Sequence, residues 1–293
     1  MSNILPAVFL AASLSAQPAA QLSGGGTPEW RAVSFTVEND YGFSDRYYTN
    51  GLKLSYTQSG RDFWTSRLQF ALLDLFAPDG AQAYESVSVG QMMCVSSDIN
   101  WPNPPERDRP YAGWLYAGFG AHVAMRDTLD SFTVNLGVVG PISLAEDAQK
   151  LYHSIIGADW PMGWHDQIKN EPGIVLSYRH SQRIARGEIE SLDFDAVASA
   201  ALDLGNVITQ GEARAFLRFG KNLPHNFEPN RIDYSSGNDV AWIPPEGLPD
   251  WHLYGFVGGA ARFVGYDITL NGNTFADSRS VVPKWLVGEF TSL

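Results

Sequence analysis

Apolar and polar residues alternate with a period of two through most of the chain after residue 30, which is the mark of β-strands with one apolar face. Arg31–Asn39 sets Val33, Phe35 and Val37 against Ala32, Ser34, Thr36 and Glu38. Gly51–Gln58 sets Leu52, Leu54 and Tyr56 against Lys53, Ser55 and Thr57, and Ser131–Val138 does the same with Phe132, Val134, Leu136 and Val138. Further predicted strands are Tyr84–Cys94, Tyr111–Met125, Gly173–Ile184, Ile189–Leu202, Thr209–Gly220, His252–Tyr266 and Ser280–Phe290. That makes about ten strands in an all-β chain, and several exceed the roughly 9–11 residues with which a tilted strand crosses a membrane.

Two closures satisfy this pattern: a soluble β-sandwich and an antiparallel transmembrane β-barrel with its apolar face outward. Strand length and the Ser, Thr, Asn, Glu and Lys of the second face favour the barrel. So do Tyr47, Tyr48, Tyr111, Trp114, Tyr116, Trp251 and Tyr254, which fall near strand ends as interface girdles would. An aromatic content of 13% and only 18% charged residues exclude a disordered chain. A formal charge of −12 leaves no cation excess for nucleic acid. Cys94 is the single cysteine, so no disulfide forms within the chain. Ile4–Leu14 is apolar with small residues after it, and residues 1–22 are expected to be a signal peptide, although no basic residue precedes the run. Residues 23–293 then form one barrel domain. No other apolar stretch approaches the roughly 20 residues of a membrane helix.

One segment breaks the β pattern. Ser143 and Glu146 are spaced as a capping box, and a helix is predicted to about Ile155, ended by Gly157. Leu144, Ala148, Leu151 and Ile155 form its apolar stripe, while Gln149 and His153, four apart, share another face. His153 is a candidate base in that helix, with Asp159 six residues on. Asn39-Asp40, at the end of the first predicted strand, reads either as a turn-initiating pair or as oxygen ligands for a hard cation such as Ca²⁺. There is no GxSxG, HExxH, Walker loop or CxxC pair, and the six histidines lack zinc-ligand spacing.

The motifs Val37-Glu38-Asn39-Asp40, Asp45-Arg46-Tyr47-Tyr48-Thr49-Asn50-Gly51 and Asp108-Arg109-Pro110-Tyr111-Ala112-Gly113-Trp114 resemble the outer-membrane lipid A 3'-O-deacylase (LpxR-like) family. Gly137-Val138-Val139-Gly140-Pro141, Gln149, His153, Gly157, Gly163-Trp164-His165-Asp166-Gln167-Ile168 and Asn170-Glu171 continue the likeness in the same order. The resemblance implies a Gram-negative outer-membrane barrel, twelve-stranded in the family, with a short helix at an active site near the outer mouth. It implies a hydrolase that uses Ca²⁺ to remove the 3'-linked acyloxyacyl chain of lipid A, acting as a monomer. Carried over by residue, His153 is the catalytic histidine, Asn39, Asp40, Thr49 and Gln149 are active-site residues, and Asp40, Asn39 and Asp159 are the expected metal ligands. Ser44, Ser143 and Ser154 lie close enough in sequence to keep a Ser–His variant open beside direct water attack. No lysine occurs between Ser96 and Asp108, where some relatives carry one; Arg107 and Arg109 are the nearest cations. Against the family pattern the C-terminal strands are expected to be missing. The rival readings are a non-catalytic structural or adhesive barrel and a secreted carbohydrate-binding sandwich.

Overall fold

The computed structural model describes residues 10–16, 30–39, 47–75, 77, 79–229, 231–234, 240, 241, 243, 251–281 and 285–292. Among these, eleven strands make one sheet whose spatial order is the order of the chain. They are β1 Leu10–Ala16, β2 Arg31–Asn39, β3 Tyr47–Ser59, β4 Gln82–Val95, β5 Ala112–Ala124 and β6 Thr128–Val139, then β7 Glu171–Ile189, β8 Leu192–Gly205, β9 Ile208–Lys221, β10 Leu253–Asp267 and β11 Leu286–Ser292. Every neighbouring pair is antiparallel, from Leu10↔Asn39 at one edge to Val257↔Ser292 at the other. Part of the 1–22 segment thus lies in the sheet as β1. The predicted strand Ile189–Leu202 contains a hairpin, because Glu190 and Ser191 take positive φ and turn the chain between β7 and β8. Two such residues match the twist of the flanking strands, and the alternation runs on through them.

The long connection between β9 and β10 shows that the sheet curls around a lumen. Ile232 N–H donates to Glu38 of β2 at 2.7 Å, and the Tyr234 carbonyl accepts from Asn135 of β6 at 2.6 Å. Ile243 exchanges bonds with Gln82 of β4 at 2.8 and 2.9 Å. Glu228 and Asp233 meet Arg179 of β7 and Arg214 of β9. One segment can touch five strands spread across a sheet only from inside a barrel.

Burial along the strands decides which closure this is. On β2 the buried side holds Ser34, Thr36 and Glu38, while Val33 and Phe35 are exposed. The same inversion recurs around the sheet: Lys53, Asn135, Arg179, Asp195, Glu212 and Arg218 are buried, while Leu54, Val89, Leu136, Ile174, Leu202 and Phe263 face outward. Each outward Leu or Phe would forgo about 1.5–3 kcal/mol of burial in water, so this surface belongs in lipid. The soluble sandwich is thereby excluded. The buried arginines of the lumen are compensated rather than isolated. Arg183 and Arg218 share Asp195, the latter at 2.5 Å, and Glu212 receives Arg179, Arg214 and Arg262.

Four of the expected girdle aromatics, Tyr111, Trp114, Tyr116 and Tyr254, lie elsewhere. Tyr254 lies against the lumen-facing Arg218 guanidinium at 5.7 Å, and the side chains of Tyr47 and Tyr48 lie outside the described residues. Trp114 and Tyr116 stack at 4.3 Å inside the lumen against Tyr234 of the β9–β10 connection, because both occupy the inward register of β5. Tyr111 packs edge-on to Trp164 at 5.0 Å. Trp251 is exposed as a girdle residue would be.

Three helices accompany the sheet: α1 Arg67–Leu73, α2 Ala145–Ile156 and α3 Ile268–Asn271. The first two sit on the outer wall. Phe70 and Leu73 of α1 pack with Ala121, Val123 and Phe132, while the base of α2 touches Met93 and Gly113, all in the outward register.

Candidate active site

β2, β4 and β6 end at one mouth of the barrel, where β3, β5 and β7 begin, and α2 follows β6 there. Pro141–Ser143 forms a 3₁₀ turn after Gly140, and Leu144, at φ 57°, stands at the N-cap of α2. The predicted Ser143–Glu146 capping box does not form. Glu146 is drawn instead to Lys150 at 2.5 Å, and the Ser143 carbonyl accepts from Gln91 of β4 at 2.6 Å. Gly113 is what permits this seat, since a Cβ there would run into Ser143 Oγ and the Ala145 side chain. Gly157, at φ 70°, ends the helix as its sequence requires, and Ala158 N–H donates to the His153 carbonyl at 3.0 Å.

The helix turns its polar face to the wall. Ala145, Gln149 and His153, each four residues apart, are buried, and Leu144, Leu151 and Ile155 of the apolar stripe are exposed. In water this orientation would be inverted; against lipid it is the favourable one. His153 is only 5% exposed, and its Nδ1 lies 2.5 Å from the Asp159 carbonyl. A carbonyl only accepts, so Nδ1 carries the hydrogen and a neutral ring has its lone pair on Nε2. Asp159 therefore acts on His153 through its backbone carbonyl, and the residue itself is exposed.

Gln149 is oriented by Trp164, a residue the periodicity does not reveal because it lies in a 3₁₀ turn. The Trp164 indole N–H, which can only donate, reaches Gln149 Oε1 at 2.7 Å. That bond fixes the amide, and Gln149 Nε2 is left buried with no hydrogen-bond partner among the described residues. An unspent donor in a dry site costs about 1–3 kcal/mol unless something takes it. The helix base is braced by Met93, Val95, Ile99, Tyr111, Ala145 and Trp164, which pack together. Asn170 Oδ1 accepts from Ile142 N–H at 2.8 Å, and Glu171 accepts from Asn273 and Phe275.

Of the remaining sequence-derived site residues, Asn39 and Thr49 are described by their backbone alone, in β2 and β3. Asn39 ends β2 opposite Asn50, and Asn50 pairs with Met93, which packs with Ala145 of α2. Thr49 occupies an irregularity in the β3–β4 register between Tyr48 and Asn50. Asp40 lies outside the described residues, as do the side chains of Asn39 and Thr49. Among the described residues no three metal-ligating side chains cluster. The described serines do not pair with His153: Ser154 Oγ donates to the Leu151 carbonyl at 2.7 Å, and Ser143 is fully buried against β5. Arg109 is tied to Asp267 and Thr269 at 3.1 and 2.8 Å, away from α2.

A sequence model described as outer membrane protein LpxR matches residues 5–292. The chain belongs to the LpxR family. It is accordingly an outer-membrane protein, as its lipid-facing strands require. The solved structure of LpxR from Salmonella typhimurium is similar at 21% identity and a TM-score of 0.64, over 84% of this chain and 77% of that one. At that identity the likeness shows the shared barrel fold. No curated protein sequence matches the chain.

Proposed function

We propose that this LpxR-family barrel is a carboxylic ester hydrolase that removes the 3'-linked acyloxyacyl chain of lipid A. The observation that carries the reading is the His153 ring, buried under α2 at the lipid-facing wall with Nδ1 committed to the Asp159 carbonyl. A base held in that tautomer, between helix and barrel, is placed for an ester that stays in the membrane.

The chain's own groups account for the reaction as follows. His153 Nε2 takes a proton from water as the water oxygen bonds to the ester carbon. Negative charge then gathers on the former carbonyl oxygen, and the Gln149 Nε2–H, held by Trp164, donates to it. The carbon–oxygen bond to the sugar breaks, and the imidazolium returns its proton to the departing 3' oxygen. The products are a free acyloxyacyl acid and a 3'-hydroxyl. Two carboxylates and an amide form an all-oxygen donor set suited to a hard cation. Asp40, with Asn39 and Asp159, would hold Ca²⁺, whose charge supports the developing oxyanion when it is bound.

The direct test uses the purified full-length protein in detergent with lipopolysaccharide. Release of the 3' acyloxyacyl acid is expected with Ca²⁺ and should fall to background in excess chelator or in Asp40→Ala. Undiminished release in excess chelator would remove the calcium role. No release under any metal condition from correctly folded protein would favour the non-catalytic barrel.

A further inference from the structure

We infer that α1 is a lipid-embedded anchor, its outer face seated in the acyl region of the leaflet at the mouth opposite α2. Its composition is unusual for so short a helix, because apart from Arg67 and the buried Gln69 both of its sides are apolar. Phe70 and Leu73 are buried against Ala121 and Val123 of β5, and Gln69 Nε2 donates to the Phe119 carbonyl at 3.4 Å. Trp64, Leu68, Leu72 and Leu75 recur at helical spacing on the other side, and Trp64, Leu68 and Leu75 are 78%, 73% and 79% exposed. Apolar residues on both the buried and the free side of a helix are stable only where neither side meets water.

Position identifies the occupant. α1 packs on the outward register of β5, the same wall that carries the lipid-facing residues, so its free side continues that surface. Gly113, under α2, and Val123, under α1, are separated on β5 by roughly 30 Å of strand. With the usual barrel tilt this is a height of roughly 25 Å, the thickness of the apolar band. The two helices therefore stand at its two borders, where tryptophan is favoured. Arg61 and Asp74, bonded at 2.6 and 2.8 Å, cap the exposed side with the polar group a headgroup boundary accepts. The carboxylate of Glu85 would be untenable on a bare lipid-facing wall. The chain leading into α1 covers it: Asp62 N–H, Phe63 N–H, Ser66 Oγ and Gln58 Nε2 all donate to Glu85 at 2.7–2.9 Å.

The inference rests on the membrane fold and not on the proposed reaction. Its test reconstitutes the full chain and its Trp64→Phe variant in phosphatidylcholine vesicles with either ordinary or brominated acyl chains. The fluorescence difference between the two proteins is the Trp64 signal. It should lose more than half its intensity in brominated lipid and respond little to aqueous iodide. A signal quenched by iodide and untouched by bromine would overturn the inference in favour of water. A signal insensitive to both, changing on dilution of protein in the bilayer, would overturn it in favour of a second copy. Leu68→Cys carrying a nitroxide, with the buried Cys94 replaced by Ala, gives an independent reading. Greater collision with oxygen than with a water-soluble nickel chelate is expected, and the reverse would overturn the inference.

Discussion

α1 and α2 lie on the same outer wall, at opposite borders of the membrane, and both bury polar groups against the barrel while turning leucine and isoleucine outward. They differ in what happens to those buried groups. Under α1 the Glu85 carboxylate is saturated by backbone and side-chain donors. Under α2 the His153 Nδ1 is committed to the Asp159 carbonyl, and the Gln149 amide has its oxygen held and its Nε2 without a hydrogen-bond partner among the described residues. A saturated seat stabilises a fold; one with an oriented, unspent donor is built to receive something. The contrast separates the anchoring helix from the one that carries chemistry, although both are seated on the same outer wall.

The sharpest way to break this contrast is to remove the base. His153→Ala should lower lipid A hydrolysis by at least ~100-fold, the scale of a positioned general base, with heat-modifiable migration unchanged. Removal of the unspent donor comes next. Gln149→Ala should cost ~100-fold in kcat, as loss of one oxyanion donor does, and Trp164→Phe should cost less because the amide remains but is free to turn. Both should leave KM nearly unchanged; a rise in KM alone would make the pair a substrate-binding feature.

Under α1 the expected effects fall on stability alone. Glu85→Ala should destabilise the α1 segment by about 1–3 kcal/mol, seen as faster proteolysis near Arg67, while hydrolysis in the folded fraction is unaltered. A loss of turnover as large as that of His153→Ala would erase the distinction between the helices. The smallest effect belongs to the exposed Arg61–Asp74 pair. The hydrogen bond from Arg61 holds the Asp74 carboxyl below its ordinary range. Its contribution is therefore present above the unfolded carboxyl pKa and fades as pH falls through the depressed folded value. Asp74→Asn should change stability by no more than ~0.5 kcal/mol, and only above that range, as urea unfolding across pH would register.

Much of this was legible in the sequence. Period-two alternation marks β2, β4, β6, β7, β9 and β10 near their observed positions, and the i, i+4 spacing places Gln149 and His153 on one face of α2. Alternation leaves open which face is inside, and that is settled by burial of Glu38, Arg179 and Glu212. α1 escapes notice because two turns with apolar residues on both sides carry no amphipathic signal. The residues that fill the lumen, among them Phe227, Glu228, Ile232, Asp233 and Tyr234, have no periodicity at all, and Glu228 and Asp233 are held by arginines from distant strands. Tyr111, Trp114 and Tyr116 read as girdle residues from their place near a strand start, yet one supports the α2 seat and two face the lumen. The capping box fails for a similar reason: Ser143 is committed to β4 and β5, contacts between segments that local spacing does not encode.

The central claim is that His153, under α2, is the base for hydrolysis of the 3' ester. The measurement that tests it most directly is the mass of lipid A from Gram-negative cells expressing the protein or its His153→Ala variant, with both shown to reach the outer membrane. A mass loss equal to one acyloxyacyl group at the 3' position, present with His153 and absent without it, is the predicted result. The same loss in the His153→Ala cells would contradict the account.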